Sequence, residues 1–161
     1  MAMLRVTQRR FAEARKEVDA ILDIAPEHLP SLNMIGALAL FAGWPQQALE
    51  QYQQLDAQAP QHPTGLVGVA QAQSMLGDKP AVQRTLDRLR QRFASLYISP
   101  YQLALIELRR GNLDATFGRL EQGTATRDPN IVFALTDPAL DDLRSDSRFA
   151  QFLERHRLGA T

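Results

Sequence analysis

Three glycines, Gly43, Gly77 and Gly111, recur at a constant interval of 34 residues, and Pro26 and Pro60 are separated by the same interval. No other feature constrains the possible folds as tightly. A fixed period of this length marks a unit too small to bury its own apolar face, which must stack on copies of itself. At ~34 residues that unit is a helix–turn–helix pair. Glycine suits the turn because it takes positive φ without steric cost and so ends the first helix. Proline cannot continue the second helix and stops it.

The residues between these markers keep step. From Leu29 to His62 they are Ile35-Gly36, Gly43, Ala48, Tyr52, Leu55 and Pro60. From Pro63 they are Val69-Ala70, Gly77, Leu86 and Leu89, and from Tyr97 they are Leu103-Ala104, Gly111 and Leu120. Gly36 and Ala48 are expected to be small because two helix backbones approach closely there. The matches loosen along the chain: Ala48 gives way to Val82 and Thr116, and Pro60 to Ala94 and Asp128. Ala39, Gln73 and Glu107 stand where the first helix usually has an aromatic.

On these residues the chain resembles the tetratricopeptide repeat (TPR) family. The resemblance implies an all-α fold, an α-α superhelix of about four helix pairs with a C-terminal capping helix. Residues 1–161 then form one TPR-like domain, with a partial repeat at 1–28, repeats at 29–62, 63–96 and 97–130, and a cap at 131–161.

One period before Gly43 stands Arg9. Residues 1–8 therefore read as the second half of a first helix and Phe11 to Ile24 as its partner. Phe11, Ala14, Val18, Ile21 and Leu22 lie there at helical spacing. An uncapped solenoid end exposes its apolar stripe. Two expectations follow: the sequence is a piece of a longer protein, or this end pairs with a second copy of itself as a homodimer.

The last third departs from the period. Ser99-Pro100-Tyr101 opens a helix, Arg127-Asp128-Pro129 precedes a short apolar helix around Ile131 to Leu135, and Asp137-Pro138 leads to Leu143-Arg144. Asp146 can cap a final helix holding Arg148-Phe149, Phe152 and Leu153. From Tyr97 to Leu158 this resembles the C-terminal end of TPR regions in bacterial multidomain regulators. In relatives such regions follow nucleotide cyclase, protein kinase or winged-helix domains. The resemblance implies the docking or sensory part of a larger regulator.

Lysine plus arginine and aspartate plus glutamate number 18 each, so no basic excess points to nucleic acid. With no cysteine, disulfides, thiolate catalysis and cysteine-ligated zinc are excluded. No apolar run approaches the ~20 residues that cross a bilayer. A cytoplasmic location is expected, or a periplasmic one if a transmembrane segment lies upstream.

No arrangement of residues points to catalysis, a metal or a cofactor. His28, His62 and His156 read as turn residues behind helix ends. Asp137, Asp141, Asp142 and Asp146 lack the glycine and closing glutamate of a calcium loop and read as caps and turns. Gly65 and Gly68, inside a predicted helix, read as sites of close packing. Trp44 is expected to cover the helix ends at its turn, with an exposed partner contact as the alternative.

In the implied superhelix the first helix of each pair lines the concave side. That face is expected to hold Asn33, Ala37, Leu40 and Phe41, then Val67, Gln71, Ser74 and Met75, then Ile98, Tyr101, Leu105, Leu108 and Arg109. Only Asn33 and Arg109 suit a clamp for a C-terminal carboxylate. The mostly apolar face suits an amphipathic helix or an extended segment of a protein or peptide partner. A small molecule or lipid held inside the superhelix is the alternative.

Overall fold

The computed structural model describes residues 2–158; Met1 and 159–161, the last three residues of the expected cap, lie outside the described residues. No strand occurs among them, and the helices pack in consecutive pairs, an all-α helical-repeat fold. The chain divides into two compact units, Met1–Tyr97 and Ile98–Thr161.

The first unit contains α1 (Ala2–Thr7), α2 (Phe11–Ile24), α3 (Leu29–Phe41), α4 (Pro45–Gln58), α5 (Thr64–Met75) and α6 (Lys79–Arg92). Gly43, Gly77 and, in the second unit, Gly111 all sit at φ of 74–75°. Each closes its helix with the same pair of backbone bonds. Trp44 N–H donates to Ala39 O at 2.9 Å, Asp78 N–H to Gln73 O at 3.1 Å and Asn112 N–H to Glu107 O at 2.9 Å. These 6→1 bonds satisfy carbonyls that the helix end leaves open.

Arg9 occupies the same register at φ 61°, and Arg10 N–H donates to Arg5 O at 2.8 Å. α1 is therefore a first helix and α2 its second. The polar pair between them repeats too: Arg5 bonds Glu17 at 3.1 Å, and 68 residues on, Thr85 Oγ1 donates to Gln73 Oε1 at 2.8 Å. Any side chain with a Cβ is costly in the left-handed region, where glycine is not. Arg9→Gly is expected to stabilise the first unit by about 0.5–1 kcal/mol, measured as a rise in the midpoint of denaturant unfolding.

The core of this unit is built around one aromatic ring. Tyr52 of α4 is buried between glycines of two first helices. A methyl at Gly36 of α3 would fall 2.6 Å from its Cζ, and one at Gly68 of α5 would fall 2.1 Å from its Cδ1. Gly36 is thus small to admit a ring, where the sequence suggested two close backbones. Close backbones do occur at Gly65, where a methyl would meet the Asp56 amide nitrogen at 2.5 Å. Ala39, Leu40, Ala48, Leu55, Val69 and Ala72 complete the cluster. A second cluster joins Val6 and Ala14 to Leu38, with Phe11 and Phe41 stacked at 5.5 Å.

The second unit holds α7 (Pro100–Arg109), α8 (Leu113–Ala125), two 3-10 segments (Pro129–Leu135 and Pro138–Leu143) and α9 (Ser147–Arg155). Each 3-10 segment is opened by an Asp-Pro pair whose carboxylate accepts from the backbone two residues on. Asp128 takes Asn130 N–H at 2.9 Å, and Asp137 takes Ala139 N–H at 2.8 Å. Proline at the first position needs no hydrogen-bond acceptor. Ile131, Ala134, Leu140 and Leu143 turn inward from these segments against Tyr101, Leu105, Leu120, Phe149 and Phe152.

Candidate functional site

The thirteen positions expected on the concave face divide by burial. Leu40, Val67, Gln71, Ser74, Tyr101 and Leu105 are buried within their own units. They are packing residues, and the expectation that they present a surface is corrected at these six positions. Asn33, Ala37, Phe41 and Met75 in the first unit are half-buried, as are Ile98, Leu108 and Arg109 in the second. Phe41 gives most of its ring to Phe11. Asn33 also lends its backbone carbonyl to the Tyr52 hydroxyl at 3.4 Å. In the first unit Met75 packs against the cluster around Tyr52, and Ala37 remains as a half-buried side chain of α3.

In the second unit the residues singled out in the sequence meet in one buried polar network. Asp128 is 1% exposed and accepts from four donors. Ser99 Oγ and Tyr101 N–H reach one carboxylate oxygen at 2.5 and 2.9 Å, and Asn130 N–H and Nδ2 reach the other at 2.9 and 3.1 Å. Burial by itself would raise the Asp128 pKa. The bonds from Ser99, Tyr101 and Asn130 outweigh it and hold the carboxyl below its ordinary value. The Tyr101 hydroxyl donates to Asp137 at 2.7 Å, and burial followed by the Asp137 charge pushes its pKa well above the usual tyrosine value. Such a phenol stays protonated, so it serves as a fixed donor and not as a base.

Of the other acidic residues in that cluster, Asp141 and Asp146 are also engaged, and Asp142 is exposed. Arg144 bridges Asp141 at 2.7 Å and the Leu135 carbonyl at 2.8 Å. Asp146 caps α9 through Arg148 N–H at 2.9 Å, while the Arg148 guanidinium lies 4.6 Å from the Phe117 ring and bonds Asp114 at 3.0 Å. That guanidinium, by its hydrogen bonds, holds the Asp146 pKa below the carboxylate range. Among the described residues no group of three or more histidines and carboxylates is placed to hold a metal ion.

His28 Nδ1 lies 2.8 Å from Ser31 Oγ at the start of α3, and His156 Nε2 lies 2.7 Å from Glu121 Oε2. His62 is exposed in the turn after α4. Trp44 is 61% exposed, so its ring does not cover the helix ends as expected. Sequence reasoning had a usable signal here. Trp44 occupies the position after the turn glycine, where Asp78 and Asn112 cap the next helix by accepting from Ala81 and Ala115 N–H; an indole cannot do this.

No protein-family model matches this chain, and no curated protein matches it.

Proposed function

We propose that this chain is a recognition module of the TPR type, docking a peptide or protein partner and carrying no chemistry of its own. The observation that carries this reading is the division of labour among the side chains. Asp128, Asp137, Asp141 and Asp146 are engaged in caps, turns and a buried network. Exposed apolar side chains, by contrast, accompany regularly capped helix pairs. Apolar surface on a rigid helical scaffold suits an amphipathic helix or an extended segment. The same reading makes the chain the docking part of a larger bacterial regulator working in the cytoplasm. No helix among the described residues is long and apolar enough to cross a membrane.

The test uses the α3 surface at Ala37. Peptides selected against the full chain from a displayed library are expected to lose about tenfold or more in affinity, roughly 1.4 kcal/mol, with Ala37→Glu, while helicity and melting stay unchanged. Glutamate at Leu40 or Leu105 would report only unfolding, since both are buried, and Met75 packs against the cluster around Tyr52. Undiminished binding by Ala37→Glu would remove this surface from the proposal. Native mass spectrometry of the purified chain separates the alternative: a retained lipid or small molecule would favour a ligand-responsive module.

A further inference from the structure

Arg5, Arg10, Arg15, Arg90 and Arg92 of the first unit are each bonded to a carboxylate at 2.5–3.1 Å. Arg84 of α6 is not. It is exposed and makes no hydrogen bond or ion pair among the described residues. The carboxylate on its own helix, Asp87, is already held by Arg90 at 2.8 Å and Gln83 at 3.1 Å. Arg88, four residues on, is little better placed. Its carboxylate neighbour, Asp56, lies 3.6 Å away, beyond hydrogen-bond range, and is held by Arg92 at 2.9 Å.

Residues four apart on a helix are neighbours, so Arg84 and Arg88 lie side by side with like charge, an arrangement that weakens a helix. Nothing in the repeat requires it. Lys79–Arg92 holds five cations and one carboxylate, whereas residues 17–78 hold no lysine or arginine. One period earlier the two positions are Glu50 and Gln54, and two periods earlier they are Lys16 and Ala20. A local choice that opposes helix stability and serves no packing is expected where a surface has a use.

We propose that the Arg84–Arg88 ridge of α6 is a docking site for an acidic segment of a partner protein. The two arginines stand about 6 Å apart along the helix axis, the spacing of glutamates on successive turns of a partner helix, and a guanidinium takes a carboxylate through two parallel bonds. A short acidic segment fits better than a nucleic acid. Asp87 stands between the two arginines in sequence, and α4, which Arg92 reaches at Asp56, exposes Glu50. An extended polyanion would meet these like charges, and the chain has no basic excess to offset them. The site goes beyond the reading above, because it lies on α6 and selects charge, and either can fail without the other.

The experiment titrates the isotope-labelled full chain with an alanine- and glutamine-based helical peptide bearing glutamate at i, i+4 and i+8. The expected result is saturable amide shifts centred on residues 83–92, weakened as salt is raised and absent with a control peptide that has glutamine at the three positions. Arg84→Glu is expected to move two readouts in opposite directions. Binding weakens about tenfold or more, while the midpoint of thermal unfolding rises, because a glutamate four residues before Arg88 forms the favourable helix pair. Absence of saturable shifts there, equal binding by Arg84→Glu, or equal binding of the control peptide overturns the proposal. So does a lower unfolding midpoint in Arg84→Glu, which would make the arginine a structural residue. A single-stranded oligonucleotide that displaces the peptide at equal concentration makes the ridge a nucleic-acid site, and the acidic segment is then rejected.

Discussion

Gly68→Ala is expected to destabilise the first unit by about 2 kcal/mol, although alanine is the better helix former by about 1 kcal/mol. The added methyl would fall 2.1 Å from Cδ1 and 2.3 Å from Cγ of Tyr52. The ring cannot retreat, because Gly36 already holds it from the other side with room for a hydrogen only. Overpacking a closed site costs about 1–3 kcal/mol, and that outweighs the propensity gain. Gly118→Ala in α8 is the control. It meets nothing within 4 Å, so only the propensity term acts, and a gain of about 0.5–1 kcal/mol is expected. Adding Tyr52→Leu to Gly68→Ala should cost less than the two single changes together, with a coupling of about 1 kcal/mol. Denaturant unfolding of all four variants provides the comparison. Additive losses would mean that the ring and the glycine do not bear on each other.

Asp128→Ala is expected to cost the second unit about 3 kcal/mol. Removing the carboxylate leaves the Ser99 hydroxyl and the Tyr101 and Asn130 backbone amides without their acceptor, while the Asn130 side chain keeps its bond to Ser99 Oγ. Buried donors left unpaired cost about 1–3 kcal/mol each before relaxation. Asp128→Asn is expected to lie between, since one oxygen is kept while the new amide group turns a donor toward donors. The pH dependence has a definite sign. The folded-state pKa of Asp128 lies below its unfolded value, so the unfolded chain binds the proton more readily. The stabilisation is complete above the ordinary carboxyl pKa of about 3.9 and is lost as the pH falls through the lowered folded value. Hydrogen exchange followed separately in the two units should show the acid loss in residues 98–158 of the wild type and a flatter profile in Asp128→Asn. An equally steep acid loss in that variant would assign the effect to other carboxylates.

The helix pairs were legible because their boundaries rest on single residues with single physical reasons. Gly43, Gly77 and Gly111 take a backbone conformation that branched side chains avoid, and Pro60 cannot donate to a helix carbonyl. Arg9 was found only by counting back, since nothing in arginine advertises positive φ. The surface was much less legible. In α5 every residue from Gly65 to Ala72 is buried, so its apolar positions run all round the helix. Periodicity identifies a face only when another face is polar. The concave positions Val67 and Gln71 therefore could not be told from packing positions. Tyr101 was misplaced for a related reason, since its partners Asp128 and Asp137 lie 27 and 36 residues away, the second beyond the repeat. Gly36 faces a ring of its own repeat, Tyr52, which Gly68 of the next repeat holds from the opposite side.

The account depends most on α1 and α2 being a register-matched helix pair, because the repeat reading of the first unit rests on Arg9 closing α1 as the glycines close the later first helices. Scalar couplings across the backbone of the isotope-labelled chain measure φ directly at the four positions spaced 34 residues apart. Positive φ at Arg9, Gly43, Gly77 and Gly111 alike is the predicted result. A negative φ at Arg9, with helix continuing from α1 into α2, would contradict it.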